Sequence, residues 1–137
     1  MIVLDTHALI WTVEDERRLG ADARVAIGAA EQADGIGISA ITPWEIALLA
    51  EKGRLRLSRE VREWIMVVLA LPAIGLLPIE PAIAIESVRL PGTFHADPAD
   101  RFIVATARHY GAPLLTADYA ILTYAAGGHV QTIDALR

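Results

Sequence analysis

Asp5, Glu45, Asp100 and Asp118 are the residues of this chain whose type and placement allow chemistry. Asp5 ends the apolar run Ile2-Val3-Leu4, and Asp118 follows Leu114-Leu115-Thr116. Glu45 and Asp100 each fall in the first turn of a helical stretch, a few residues after a cap. Asp97 stands three residues before Asp100, across Pro98. Carboxylates gathered at one place repel one another unless cations intervene. Hard divalent ions with oxygen ligands meet that need, and Mg2+ or Mn2+ is the natural choice. Two such ions can activate water and stabilise both oxygens of an in-line phosphoryl displacement. The chemistry expected of such a cluster is phosphodiester hydrolysis.

Taken singly, each acid has a plainer role. Asp after a strand is commonly a turn residue or a cap, which covers Asp5 and Asp118. Glu45 alone reads as a capping-box residue or a partner of the helix dipole. Asp97 before Pro98 reads as a helix cap. Only convergence favours the metal reading, so the elements that carry these residues decide the matter.

Those elements follow from the apolar pattern. Ile2-Val3-Leu4 reads as a buried parallel strand. Thr6 to Val13 reads as a helix, Glu14 to Gly20 as a turn, and Ala21 to Ala33 as a second helix. Gly35 to Ser39 is a short strand. Thr42-Pro43-Trp44-Glu45 has a capping-box pattern and opens a helix that ends at Gly53. Ser58 caps a helix through about Leu71, with Val61, Trp64, Ile65, Val68 and Leu69 on its apolar face. Leu76 to Ile79 is a strand, Pro81 to Val88 a helix, and Leu90 to Thr93 a loop. Asp97 and Pro98 open a helix that Gly111 closes. Leu114-Leu115-Thr116 is a strand, Tyr119 to Ala126 a short helix, and Val130 to Ile133 a last strand. The expected fold is α/β: a central, mostly parallel sheet of about five short strands with helices on both faces. Residues 1–137 are expected to form a single domain, without linker, repeat or low-complexity tract.

In such sheets, sites form beyond the carboxyl ends of the strands. Asp5 and Asp118 are there by sequence. Glu45 follows, because the strand ending at Ser39 runs into its helix. Asp100 follows a loop, so pattern alone places it less firmly.

Bulk composition narrows the alternatives. The chain has 137 residues, 54% of them hydrophobic, enough to bury a core. No apolar run reaches the roughly 18 residues of a membrane span, and no signal peptide is expected. Cysteine is absent, which excludes disulfides and thiolate metal sites and suits a cytoplasmic protein. The net charge is −5, and Lys52 is the sole lysine. That argues against a strongly basic nucleic-acid binder, although bound cations would cancel acidic charge locally.

The other polar and aromatic residues carry weaker signals. His7 is near Asp5 and either touches the site or packs locally. His95 is placed to orient a ligand or contact a phosphate. His109 and His129 read as structural or surface residues. Trp11, Trp44 and Trp64 read as core or dimer contacts, with core packing favoured. Arg54, Arg56 and Arg101 are candidate phosphate contacts, each more commonly a surface arginine.

Four blocks carry a resemblance. They are Leu4-Asp5-Thr6-His7-Ala8-Leu9-Ile10-Trp11, Ser39 to Ala47, His95-Ala96-Asp97-Pro98-Ala99-Asp100-Arg101, and Leu115-Thr116-Ala117-Asp118. In this order and spacing the chain resembles PIN-domain ribonucleases, and more closely the VapC-like toxins of bacterial toxin–antitoxin pairs. The resemblance implies a parallel sheet sandwiched by helices and Mg2+- or Mn2+-dependent cleavage of RNA. It implies that Asp5, Glu45, Asp100 and Asp118 are the metal-binding catalytic acids. Asp97 belongs to the same motif, and Thr6 and Thr116 are supporting residues that hydrogen-bond ligand carboxylates or water. It implies a homodimer inhibited by a small antitoxin that inserts an arginine or blocks the acidic pocket. Ala99 departs from the large apolar residue of many relatives, which concerns packing more than chemistry.

Two other classes compete. A receiver-like module needs a lysine near the end of a late strand, and Lys52 ends a helix instead. An RNase H-like nuclease begins with an antiparallel meander, whereas this chain enters a helix after its first strand. A catalytically silent PIN-like module that binds RNA or a protein partner is the remaining alternative.

Overall fold

The computed structural model describes residues 1–94 and 96–137. His95, read above as a ligand-orienting or phosphate-contacting residue, lies outside the described residues. Five strands, β1 (Ile2–Leu4), β2 (Ile36–Ser39), β3 (Ile74–Leu77), β4 (Leu114–Thr116) and β5 (Thr132–Asp134), form one sheet in the order β3-β2-β1-β4-β5. Every pairing is parallel, so the sheet is wholly rather than mostly parallel. Among the described residues seven helices join them: α1 (Thr6–Val13), α2 (Ala21–Glu31), α3 (Ile41–Glu51), α4 (Val61–Leu69), α5 (Pro81–Val88), α6 (Pro98–Tyr110) and α7 (Tyr119–Ala126).

The two-residue period of a strand divides the core into two layers. Ile2 and Leu4 point into one apolar cluster with Leu9, Ile27, Ile38, Ile46, Trp64 and Val68. Val3 points into the other, with Ile83, Ile103, Val104, Leu114, Ile121 and Tyr124. Helices α1 to α4 thus cover one face, and α5 to α7 the other. That is why β1 and β4 read as unbroken apolar runs. The strand order reverses at β1, where β2 lies on one side and β4 on the other. The crevice beyond the carboxyl ends of β1 and β4 is therefore the topological switch point.

Several boundaries differ from the sequence reading. The helix expected from Thr42 starts at Ile41, and Thr42 is buried inside its first turn. Ser39 Oγ accepts the Ile41 N–H at 3.2 Å, and the Thr42 hydroxyl, already inside the helix, meets that of Thr6 rather than a helix N–H. The capping box with Glu45 does not form, which leaves both side chains free for other work. Ser58 does not cap α4 either. Glu60 does, accepting the Glu63 N–H at 3.2 Å, while the Ser58 N–H is held by Glu14. Helix α2 stops at Glu31 rather than Ala33. Strand β3 begins at Ile74, because Ile74 and Gly75 pair with Ile36 and Gly37. The last strand is shifted to Thr132–Asp134 by its register against β4. The stops at Gly53 and Gly111 hold; Gly111 closes α6 in the left-handed region at φ 59°. Among the described residues no helix is long and apolar enough to cross a membrane.

Arg101 is a structural residue here. Its guanidinium donates to the carbonyls of Ser87 at 2.8 Å, Phe94 at 2.6 Å and Val88 at 3.4 Å. It also lies over the Phe94 ring, 5.8 Å from its centroid. It straps the end of α5 and the following loop to the first turn of α6. Loss of charge-assisted bonds to part-buried carbonyls costs about 1.5–3 kcal/mol. Arg101→Met should lower stability by that amount in urea denaturation, whereas Arg54→Met, at an exposed position, should change it by less than about 0.5 kcal/mol.

Candidate active site

The turn from β1 into α1 holds Asp5. Its backbone is extended, its Oδ1 accepts the Thr6 N–H at 2.8 Å, and it caps the helix. Its Oδ2 accepts the Thr116 hydroxyl at 2.6 Å. Asp5 is 2% exposed, so these bonds replace water that burial has removed. The contact between Asp5 and Thr116 joins residues 111 positions apart and closes β1 onto β4 at the switch point.

Thr116 passes the order onward. Its hydroxyl oxygen accepts the Asp118 N–H at 3.0 Å. Asp118 caps α7 through Oδ1, which accepts the Ile121 N–H at 3.1 Å. Both strand-end acids are therefore caps as well as members of the cluster. The expected choice between cap and cluster does not arise for a carboxylate with two oxygens. His7 adds a second link: its Nε2 accepts the Ala117 N–H at 3.0 Å, and its Nδ1 lies 3.5 Å from Asp5 Oδ2.

Glu45 enters from α3. Its Oε1 is buried with no hydrogen-bond partner among the described residues. Burial raises the Glu45 pKa, the neighbouring Thr6 hydroxyl lowers it, and the charge of Asp5 raises it further. Thr6 Oγ1 and Thr42 Oγ1 are 3.1 Å apart, so a pair of buried hydroxyls lies beside the two acids. Thr42 was read as a cap; the structure gives it this role instead.

Asp100 sits in the first turn of α6. A helix N-terminus favours a carboxylate, yet the Asp100 carboxyl is pushed up to about 8. Burial is the first cause, followed by the charges of Asp5, Asp118, Glu45 and Asp97. The four acids singled out in the sequence, with Asp97, therefore converge. Asp97 occupies the N-cap position of α6 but makes no side-chain capping bond. Its carboxylate is exposed and contributes charge to Asp100 and Glu45 instead. The cap expected there is only positional.

The residues suit a hard divalent cation. All the side-chain acceptors are oxygens, one of them is buried and unpartnered, and an ionised Asp100 needs positive charge nearby. No three His, Asp or Glu side chains form a ready-made metal group among the described residues. Mg2+ does not require one, because it is commonly held by one or two carboxylates, with water and substrate phosphate completing its shell. A groove of about 740 Å3 at the amino ends of β4 and β5 carries no titratable side chain. Chemistry, not concavity, marks the site.

The remaining sequence candidates divide. Trp64 is core, 2% exposed, whereas Trp44 is 53% exposed and does not pack in the core as expected. An apolar helical face is visible in sequence, but Trp44 falls on the side of α3 turned away from both clusters. Trp11 is half-buried, with Arg18 over its ring at 4.6 Å. His109 lies 3.5 Å from Glu80, and His129 stacks on Tyr124. Arg54 and Arg56 are exposed.

The raised Asp100 pKa has a consequence for metal-free stability. The folded state holds the Asp100 proton up to about pH 8, whereas the ordinary carboxyl releases it near 3.8. The folded state then binds more protons than the unfolded state, so stability is full at low pH and falls as pH rises through that window. Thermal melts of metal-free wild type and Asp100→Asn should converge at low pH. The wild type should become progressively less stable relative to the variant towards pH 8.

The pattern of the PIN domain family matches residues 2–127. Ribonuclease VapC22 of Mycobacterium tuberculosis (strain ATCC 25618 / H37Rv) is 37% identical over 117 residues, covering 85% of this chain and 86% of that protein. Among solved structures, VapBC2 from Rickettsia felis, bound to a DNA fragment from its promoter, matches 97% of this chain and 98% of its own. The TM-score is 0.69 and the identity 13%. VapBC-5 from Mycobacterium tuberculosis, a member of the VapBC family of toxin–antitoxin systems, matches 96% of each chain, with a TM-score of 0.60 and 18% identity. At such identities the two structures speak for the fold alone. Family pattern, sequence relative and architecture agree: the chain belongs to the PIN-domain family and is a VapC-like member of it.

Proposed function

We propose that the chain is a Mg2+- or Mn2+-dependent endoribonuclease acting as the toxin of a toxin–antitoxin pair. The observation that carries this reading is the Asp100 carboxyl, held up to about 8 by burial and by Asp5, Asp118, Glu45 and Asp97 around it. The name of its relative from Mycobacterium tuberculosis supports a ribonuclease. The names of the structural neighbours support a toxin–antitoxin setting.

Asp5, Glu45, Asp100 and Asp118 would hold the metal. When bound, the divalent ion supplies Lewis acidity and a nucleophilic water for in-line displacement at a phosphodiester. The residues of the chain do the rest. The Thr116 hydroxyl holds one oxygen of Asp5 and the Thr6 N–H the other, so Asp5 presents a fixed carboxylate edge. Asp118 keeps one oxygen on the α7 N-terminus and has the second available. Asp100 and Glu45 give up the environment that favours their protons once positive charge arrives. Asp97, exposed at the rim, adds negative charge that draws the cation in.

The partners proposed are an RNA substrate, a small antitoxin protein and a second copy of the chain, in the cytoplasm and with the whole chain acting as a single domain. A cationic side chain from the antitoxin would meet the same acids as the metal does. A second reading, a silent module that only binds RNA or a partner, is favoured by one observation: among the described residues no three ligands stand preassembled.

Two measurements test the proposal. Antitoxin-free protein should cleave cellular RNA with Mg2+ or Mn2+ and stop on chelation. Asp5→Asn and Asp100→Asn should each lose at least about 100-fold in rate, the scale of removing a group that stabilises developing charge. Cleavage that survives either change removes that residue from the site. Mn2+ at about 100 times its Kd should also stabilise the folded wild type by about 2.7 kcal/mol, and much less in Asp100→Asn.

A further inference from the structure

We propose that His7 is a positioning residue which, through one fixed imidazole tautomer, ties the turn of Asp5 to the loop of Asp118. The inference rests on reading those two acids as metal ligands, but the tie itself can be measured without metal or RNA.

The geometry assigns the tautomer. The Ala117 N–H, 110 residues away, meets His7 Nε2 at 3.0 Å. An amide nitrogen can only donate, so Nε2 must present its lone pair. With Nε2 accepting, the ring N–H belongs to Nδ1, which lies 3.5 Å from Asp5 Oδ2. That oxygen is the one that accepts the Thr116 hydroxyl. His7, two residues past Asp5 in α1 and with Nδ1 beside its carboxylate, thus reaches across to hold the peptide between Thr116 and Asp118. The Asp118 N–H is itself held by Thr116 Oγ1. With these contacts in place, the separation of Asp5 and Asp118 is set by the imidazole and the Thr116 hydroxyl together.

The ring plane is fixed as well. Trp11, one helical turn further along α1, meets it edge-on, with centroids 5.0 Å apart and planes at 61°. Neither ring nitrogen keeps a free lone pair. His7 is therefore not a general base for the attacking water, the role a histidine beside catalytic acids would first suggest. Its side chain is 33% exposed, so it is no core residue whose loss must unfold the chain.

The test separates the tie from the metal site. Histidine labelled with 15N should show His7 of the metal-free protein with a protonated Nδ1 and an unprotonated Nε2 at neutral pH. The Ala117 amide should exchange with solvent at least tenfold faster in His7→Ala. His7→Gln can still offer an acceptor to that amide and should restore protection, whereas His7→Asn, too short to reach it, should not. Manganese titration should show affinity reduced by about 10–100-fold in His7→Ala, the usual cost of losing a group that orients a ligand. Most of that loss should return in His7→Gln. A protonated Nε2, unchanged Ala117 exchange, or wild-type Mn2+ affinity in His7→Ala would each overturn the proposal. Wild-type protein that binds no Mn2+ overturns the metal reading and with it any positioning role. A wrong tautomer overturns the tie while leaving the metal reading standing.

Discussion

Like charges gathered in a half-buried crevice repel one another, and the fold has to hold them there. Asp5, Glu45, Asp97 and Asp118 act on the same carboxyl, that of Asp100. The chain answers by spreading the acids over four attachment points that cannot drift apart. Asp5 and Asp118 are anchored where β1 and β4 run out, Asp100 in the first turn of α6, and Glu45 one turn into α3, past the first turn expected from the sequence because the helix starts at Ile41. Parallel pairing of β1 with β4 and with β2 fixes three of these points relative to one another. Arg101 fixes the fourth by strapping the chain before α6 to the end of α5.

The hydrogen bonds around Asp5 show how the cost is contained. A carboxylate that is 2% exposed has lost its hydration. It regains partners from the Thr6 N–H and the Thr116 hydroxyl. Asp118 keeps the Ile121 N–H. Glu45 Oε1 has no such partner among the described residues, and Asp100 bears the largest consequence of the crowding. Strain is thus concentrated on two of the acids while the other two act as fixed points. A functional site is where local rules are expected to be broken, because the same groups that destabilise the empty fold are those that attract a cation.

The fold was largely legible because it depends on patterns within short segments. Ile2-Val3-Leu4 and Leu114-Leu115-Thr116 can only be strands buried on both faces, and Pro98 and Gly111 mark the ends of α6 by their backbone limits. Errors fell where one segment depends on another. Thr42 and Glu45 satisfy the capping-box spacing, but the helix starts a residue earlier, at Ile41, and the Thr42 hydroxyl meets that of Thr6 instead. Strand β3 includes Gly75, which is extended only because β2 pairs with it. Trp44 looks like core until the orientation of α3 is known.

Residue types and their positions at strand ends and helix starts were enough to nominate Asp5, Glu45, Asp100 and Asp118, and to make a divalent cation the fitting partner. Sequence by itself also determined the alternation of strands and helices, since apolar period and backbone limits act within a few residues. Only the tertiary structure decided that Asp97 lends charge without capping and that Arg101 braces α6. It also decided that Thr42 lies beside Thr6, and that His7 meets an amide 110 residues away. These are contacts between segments distant in sequence, and no local preference encodes them. They exist because five parallel strands bring β1 and β4 side by side and turn their carboxyl ends into one crevice.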